Sequence, residues 1–233
     1  MNPGCLARLP NPRVAVARSH ELSRSPARFH VLPGNPLDDG WSGRCGFDAA
    51  LAANDPRNPV TLLAWSGTLG PTLFEGEPRN WMRAGRDALA GLIATLLPRA
   101  HSHGVPFGFI PHHFHLLSDV AGQMRVWHEH ADAGWATVLS PATLIATSMH
   151  KDLHDHLRRA VEMVAPRASL CLLEDLVFDA HADTAPRRVE WGSGEIPHES
   201  VVEWLESALP LSTPIAVGCD LSDGGLLRDE PRG

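Results

Sequence analysis

From residue 60 onward the chain alternates short, unbroken apolar runs with longer stretches in which apolar residues return every three or four positions. Val60 to Trp65, Val105 to Ile110, Ala136 to Leu139, Ser169 to Leu173 and Thr213 to Val217 read as buried parallel strands. Such strands are continuously hydrophobic because both of their faces are covered. Between them, Leu89, Leu92, Ile93, Leu96 and Leu97 define one apolar helix face, with Pro98 expected to kink or shorten the helix and Gly104 to end it. Ser118 is the expected N-cap of a helix carrying Val120, Met124, Trp127 and Ala131, which Gly134 closes. Leu153, Leu157, Ala160, Val161 and Val164 mark the next inner face, with Asp155 and Arg159 as an exposed pair and Pro166 as the stop. Val201, Trp204, Leu205 and Ala208 mark the last helix. Ahead of residue 60, Val14 to Ala17 and Phe29 to Leu32 are candidate strands and Phe47 to Asn54 a short helix, amid dense Pro and Gly.

Strands joined through helices build a parallel sheet, and the regular alternation favours an α/β fold of the β/α barrel type over an open sheet. A full barrel has eight strands and about 250 residues, so the pattern predicts a barrel incomplete by roughly one βα unit at its N-terminal end. The expected organisation is a loose leader over residues 1–13, a barrel domain over 14–220 and a tail over 221–233. The leader is rich in arginine, but Pro3, Pro10 and Pro12 interrupt any targeting helix. An incomplete barrel leaves strand edges that invite pairing, so a homodimer is expected.

At 233 residues and 43% hydrophobic content the chain has enough material for a full core. Its net charge of −7 repels a phosphate backbone, which excludes nucleic acid as an expected partner. The apolar runs fall short of the roughly 20 residues of a membrane span. Cys5, Cys45, Cys171 and Cys219 form no C-x-x-C pair, so neither a zinc ribbon nor a disulfide framework is implied, and a cytoplasmic location is expected. Lys151 is the only lysine and tyrosine is absent, a bias that reflects GC-rich codon usage.

The segment from Trp191 to Leu205, with Gly192, Gly194, Ile196 and Pro197 ahead of an apolar helix face, resembles the glycine-rich loop before the last strand of the xylose isomerase-like TIM barrels. His103 to Phe109 is similar to the approach to that family's fifth strand, and His113 to Trp127 to the loop and helix that follow; the order of elements matches over roughly residues 60 to 218. The resemblance implies isomerisation or epimerisation of a sugar or sugar derivative at the C-terminal mouth of the barrel. It also implies a divalent metal, Mg or Mn, held by carboxylates and a histidine. At the positions where those ligands are expected this chain carries Ile110, Ser140, Leu172 and Gly218. No cofactor is therefore expected, unless a register shift brings His112, Glu174 and Asp220 together around a metal.

The candidate catalytic residues are Glu174, Asp175 and His112, each just past a strand end. Adjacent strand positions point opposite ways, so at most one of Glu174 and Asp175 faces the mouth. His30, Ser66, Ser140, Trp191, Glu195 and Asp220 are candidate substrate-binding residues on the rim, with Trp41 and Trp65 as further stacking surfaces. His112, His113 and His115 cluster past one strand, whereas His101, His103, His128 and His130 belong to helix ends, where cations suit the macrodipole. Three readings follow: a sugar isomerase or epimerase, active or divergent; a non-catalytic carbohydrate-binding or scaffold protein; and a metal-dependent hydrolase built on the histidine cluster.

Overall fold

The computed structural model describes residues 16–18, 28–55, 57, 60–178, 186–189 and 191–217. The expected leader and tail, with Cys5, Gly218, Cys219 and Asp220, lie outside the described residues. The strands are β1 (Val16–Arg18), β2 (Arg28–Leu32), β3 (Val60–Trp65), β4 (Phe107–Ile110), β5 (Val138–Leu139), β6 (Leu170–Leu173), β7 (Asp175–Val177), β8 (Arg187–Val189) and β9 (Ile215–Val217). The α-helices are α1 (Trp41–Arg44), α2 (Phe47–Ala52), α3 (Arg83–Ser102), α4 (Val120–His130), α5 (Leu153–Val164) and α6 (His198–Ala208).

All the pairings of β1 to β6 and β9 are parallel. The arc runs β2, β3, β4, then across a single parallel bridge between Phe107 and Trp135 to β5, β6, β9 and β1. Among the described residues this is a TIM-type β/α barrel one strand short of eight, open between β1 and β2. The only antiparallel pairing among the described residues is the β7–β8 hairpin. No described helix is long and apolar enough to cross a membrane.

Two outer clusters and one inner cluster hold the arc together. Leu62, Ala64, Phe107 and Phe109 turn outward onto Leu89, Leu92, Ile93, Leu96 and Leu97 of α3, and Cys171, Leu173 and Ile215 turn outward onto α5 and α6. Phe29, Val31, Leu63, Trp65, Ile110, Val138, Leu170, Leu172 and Ala216 fill the interior. The alternation follows from the period of two along a strand. Gly108 sits where β4 closes on β5, and a Cβ there would lie 1.8 Å from the Ala136 carbonyl oxygen, so the approach of the two strands requires glycine.

Several local expectations are corrected. Helix α3 continues through Pro98 to Ser102 before Gly104 adopts φ +67°. The N-cap of α4 is Asp119, whose Oδ1 accepts the Gly122 N–H at 2.6 Å, in place of Ser118. On α5 the ion pair is Arg158 with Glu162, not Asp155 with Arg159, while the buried face is the one expected.

Candidate functional site

The loop after β4 doubles back tightly, because the His112 N–H bonds the Leu117 carbonyl and the His113 N–H the Thr143 carbonyl. The Ser66 hydroxyl accepts the Leu117 N–H at 3.1 Å, and buried Asn80 donates to Thr68 Oγ1 at 2.8 Å and to the Phe114 carbonyl at 2.6 Å. This scaffold packs His112 and His115 against Trp65 and Phe74, with the Trp65 ring edge-on to His115 at 5.3 Å and to His112 at 5.9 Å, and stacks His113 on His112.

The backbone fixes the tautomers. His113 donates from Nδ1 to the Thr143 carbonyl at 3.1 Å, and His115 from Nε2 to the Leu73 carbonyl at 2.7 Å. His112 accepts the Phe114 N–H on Nδ1 at 3.2 Å, which places its proton on Nε2. Burial lowers all three pKa values, to about 3 for His115 and well below the usual value for His112, with Arg188 adding to each shift. The imidazoles are therefore neutral near pH 7. Among the described residues, His113 Nε2, His115 Nδ1 and the Ser140 hydroxyl are buried without a hydrogen-bond partner.

Arg188, on β8, lies over this cluster. Its guanidinium carbon is 5.5 Å from the ring centres of both Trp65 and Phe74, and its Nη1 is 3.5 Å from Glu174 Oε2. Glu174 is 5% exposed and belongs to this mouth. Asp175 does not. Its carboxylate is fully buried and accepts from the N–H groups of Leu176, Gly192, Gly194 and Ile196 and from His198 Nε2 at 2.6 Å. Burial alone would raise its pKa, but those backbone donors and His198 together lower it. Asp175 therefore anchors the glycine-rich loop, which corrects the catalytic role expected of it.

Other expected site residues are also displaced. His30 lies between Phe29 and Val31, both of which face the interior, so it points to the outer side of β2 and not towards substrate. The Ser66 hydroxyl is spent on the histidine loop. Trp191 packs on the outer cluster with its ring edge against His198, and Glu195 bonds His150 and the Phe178 N–H. Trp41 is buried and donates to the Pro33 carbonyl. His112, Glu174, Ser140 and Trp65 are the expected residues that the fold carries to the C-terminal ends of the strands on the inner side. Arg188 and Phe74 were missed, and no periodic signal marks them: β8 is three residues long and Phe74 lies in a loop.

No family model and no curated protein matches the chain. Among solved structures it is similar to L-ribulose 3-epimerase, with a TM-score of 0.54 and 15% identity over 84% of this chain and 63% of that one. It is also similar to a xylose isomerase-like TIM barrel protein from Mycobacterium smegmatis in complex with magnesium, with a TM-score of 0.50 and 12% identity over 81% of this chain and 65% of that one. The chain thus spans less than two thirds of either protein's length. The likeness establishes the fold, that of the xylose isomerase-like TIM barrels.

A divalent metal does not fit the positions where that fold family implies one. Ile110 and Leu172 are wholly buried in the aliphatic interior, and Ser140 offers one neutral hydroxyl. The histidine cluster is no substitute. The rings of His112 and His113 stack at 4.4 Å and 25°, and in-plane lone pairs of stacked rings cannot converge on one ion. Among the described residues no group of three or more His, Cys, Asp or Glu side chains is placed to hold a metal ion, so the geometry lends the hydrolase reading no support.

Proposed function

We propose that this chain isomerises or epimerises a sugar or sugar derivative in the barrel mouth by proton transfer, without a metal, using Glu174 and His112. The observation that carries this reading is the assembly of a buried carboxylate and a neutral imidazole around one aromatic wall, Trp65 and Phe74. A carboxylate base paired with a neutral histidine is a known solution for moving a proton next to a carbonyl, because the imidazole N–H polarises the oxygen without adding charge. Glu174 takes the proton from carbon, His112 Nε2–H donates to the carbonyl oxygen, and Ser140 and the unpartnered nitrogens of His113 and His115 meet substrate hydroxyls. The aliphatic side chains at Ile110 and Leu172 favour one rival, a carbohydrate-binding protein without catalysis.

Glu174→Gln and His112→Gln, assayed on a panel of aldoses, ketoses and their phosphates, are each expected to lower kcat by about 100-fold or more, the usual contribution of a positioned acid or base. Binding that survives in both variants while wild-type protein turns over no sugar would favour the rival.

A further inference from the structure

Removing a proton from the carbon beside a carbonyl leaves negative charge on the oxygen, and this barrel offers that charge a hydrocarbon interior of Ile110, Val138, Leu170 and Leu172. A cation must face it, since unpaired charge in such surroundings is costly. The histidines do not supply one: the three rings are packed together and buried, which holds them neutral even though the Thr143 and Leu73 carbonyls accept from two of them. Lys151, the only lysine, is exposed in the turn before α5. Resting on the function proposed above, we infer that Arg188 is a catalytic residue that stabilises the enediolate oxygen by direct hydrogen bonding.

The guanidinium carbon lies 5.5 Å from the ring centres of both Trp65 and Phe74, which are themselves 5.1 Å apart, so the aromatic pair supports it from one side. Its contact with Glu174 is 3.5 Å long, beyond the range of a strong charge-assisted bond, and among the described residues it makes no bidentate pair. Arginine has five N–H donors, so this geometry leaves donors for a substrate oxygen.

The proton transfer needs no oxidant or reductant. Glu174 accepts the proton, the C–H pair becomes the C=C bond, and the carbonyl pair moves to the oxygen that Arg188 holds. Collapse of the enediolate returns the proton from Glu174 to the neighbouring carbon, while His112 gives a proton to the first oxygen and recovers one from the second.

The test uses Arg188→Met and Arg188→Ala in the full chain, with chelator present. Arg188→Met is expected to lower kcat by about 100- to 1,000-fold with KM changed less than about 3-fold. Added guanidinium is expected to restore part of the rate to Arg188→Ala, which a merely structural role would not allow. A sugar hydroxamate, which copies the planar enediolate, is expected to bind wild type at least about 100-fold more tightly than Arg188→Met, the parent sugar alcohol losing less than about 3-fold. Turnover by wild type with equal hydroxamate binding in both proteins overturns the role of Arg188 alone. No turnover in wild type, with hydroxamate bound no better than the alcohol, overturns both the role and the function it rests on. If Arg188→Met does not fold, Arg188→Gln, which removes the charge and keeps a polar side chain, replaces it, and hydroxamate affinity equal to wild type overturns the inference.

Discussion

Replacing Asp175 by alanine is expected to remove about 3–5 kcal/mol of folding stability, the scale on which breaking a buried charged network destabilises a protein. The carboxylate gathers donors from Leu176, Gly192, Gly194, Ile196 and His198, and alanine would leave the backbone groups buried without partners. Asparagine keeps one acceptor oxygen and the shape, so Asp175→Asn is expected to lose about half as much. Gly194 is part of the same device, because a Cβ there would lie 2.4 Å from Asp175 Oδ1 and 2.3 Å from the Leu176 carbonyl. Urea unfolding of the three proteins measures the loss, and amide exchange should show residues 191–197 opening first. Asp175→Ala within about 0.5 kcal/mol of wild type would refute the anchoring role.

Lowering the pH from 7 to 5 is expected to cost about 2 kcal/mol through His115 alone, with His112 adding in the same direction. Both are held neutral in the folded chain, His115 with a pKa of about 3 and His112 well below its usual value, because burial disfavours the imidazolium. The unfolded chain takes up protons below about pH 6.5 and the folded cluster does not, so stability is full above that pH and falls towards the folded pKa values. His115, still neutral at pH 5 in the folded chain, accounts for that loss of about 2 kcal/mol. The window lies above the titration of Asp175, whose lowered pKa protects the fold until much stronger acid. In His112→Gln/His115→Gln the slope between pH 7 and 5 should flatten, even though the starting stability is lower. Equal slopes in the two proteins would show that the cluster is not held neutral.

The parallel strands from β3 to β6 and β9 were legible because each is a nearly continuous apolar run, and the candidate strands at Val14 to Ala17 and Phe29 to Leu32 overlap β1 and β2. The inner faces of α3 and α5 were equally plain from their spacing. The β7–β8 hairpin was not, since two strands of three residues are too short to show a period and the intervening stretch is polar. That gap hid Arg188. Alternation correctly allowed only one of Glu174 and Asp175 at the mouth, but which one depends on amides from Gly192, Gly194 and Ile196, whose convergence is a matter of tertiary geometry. Ser66 and Glu195 look like rim donors in sequence and are spent on local bonds, a distinction that residue type does not carry.

The most direct test of metal-free proton transfer in the barrel mouth is deuterium wash-in from D₂O, with chelator present and a panel of aldoses, ketoses and their phosphates as probes. The mouth described here should place deuterium on the carbon beside the carbonyl of at least one sugar, read by mass and by NMR, and Glu174→Gln should abolish it. A wild-type protein that binds a sugar from the panel yet leaves every carbon unlabelled, or that labels only when a divalent metal is restored, would contradict the account.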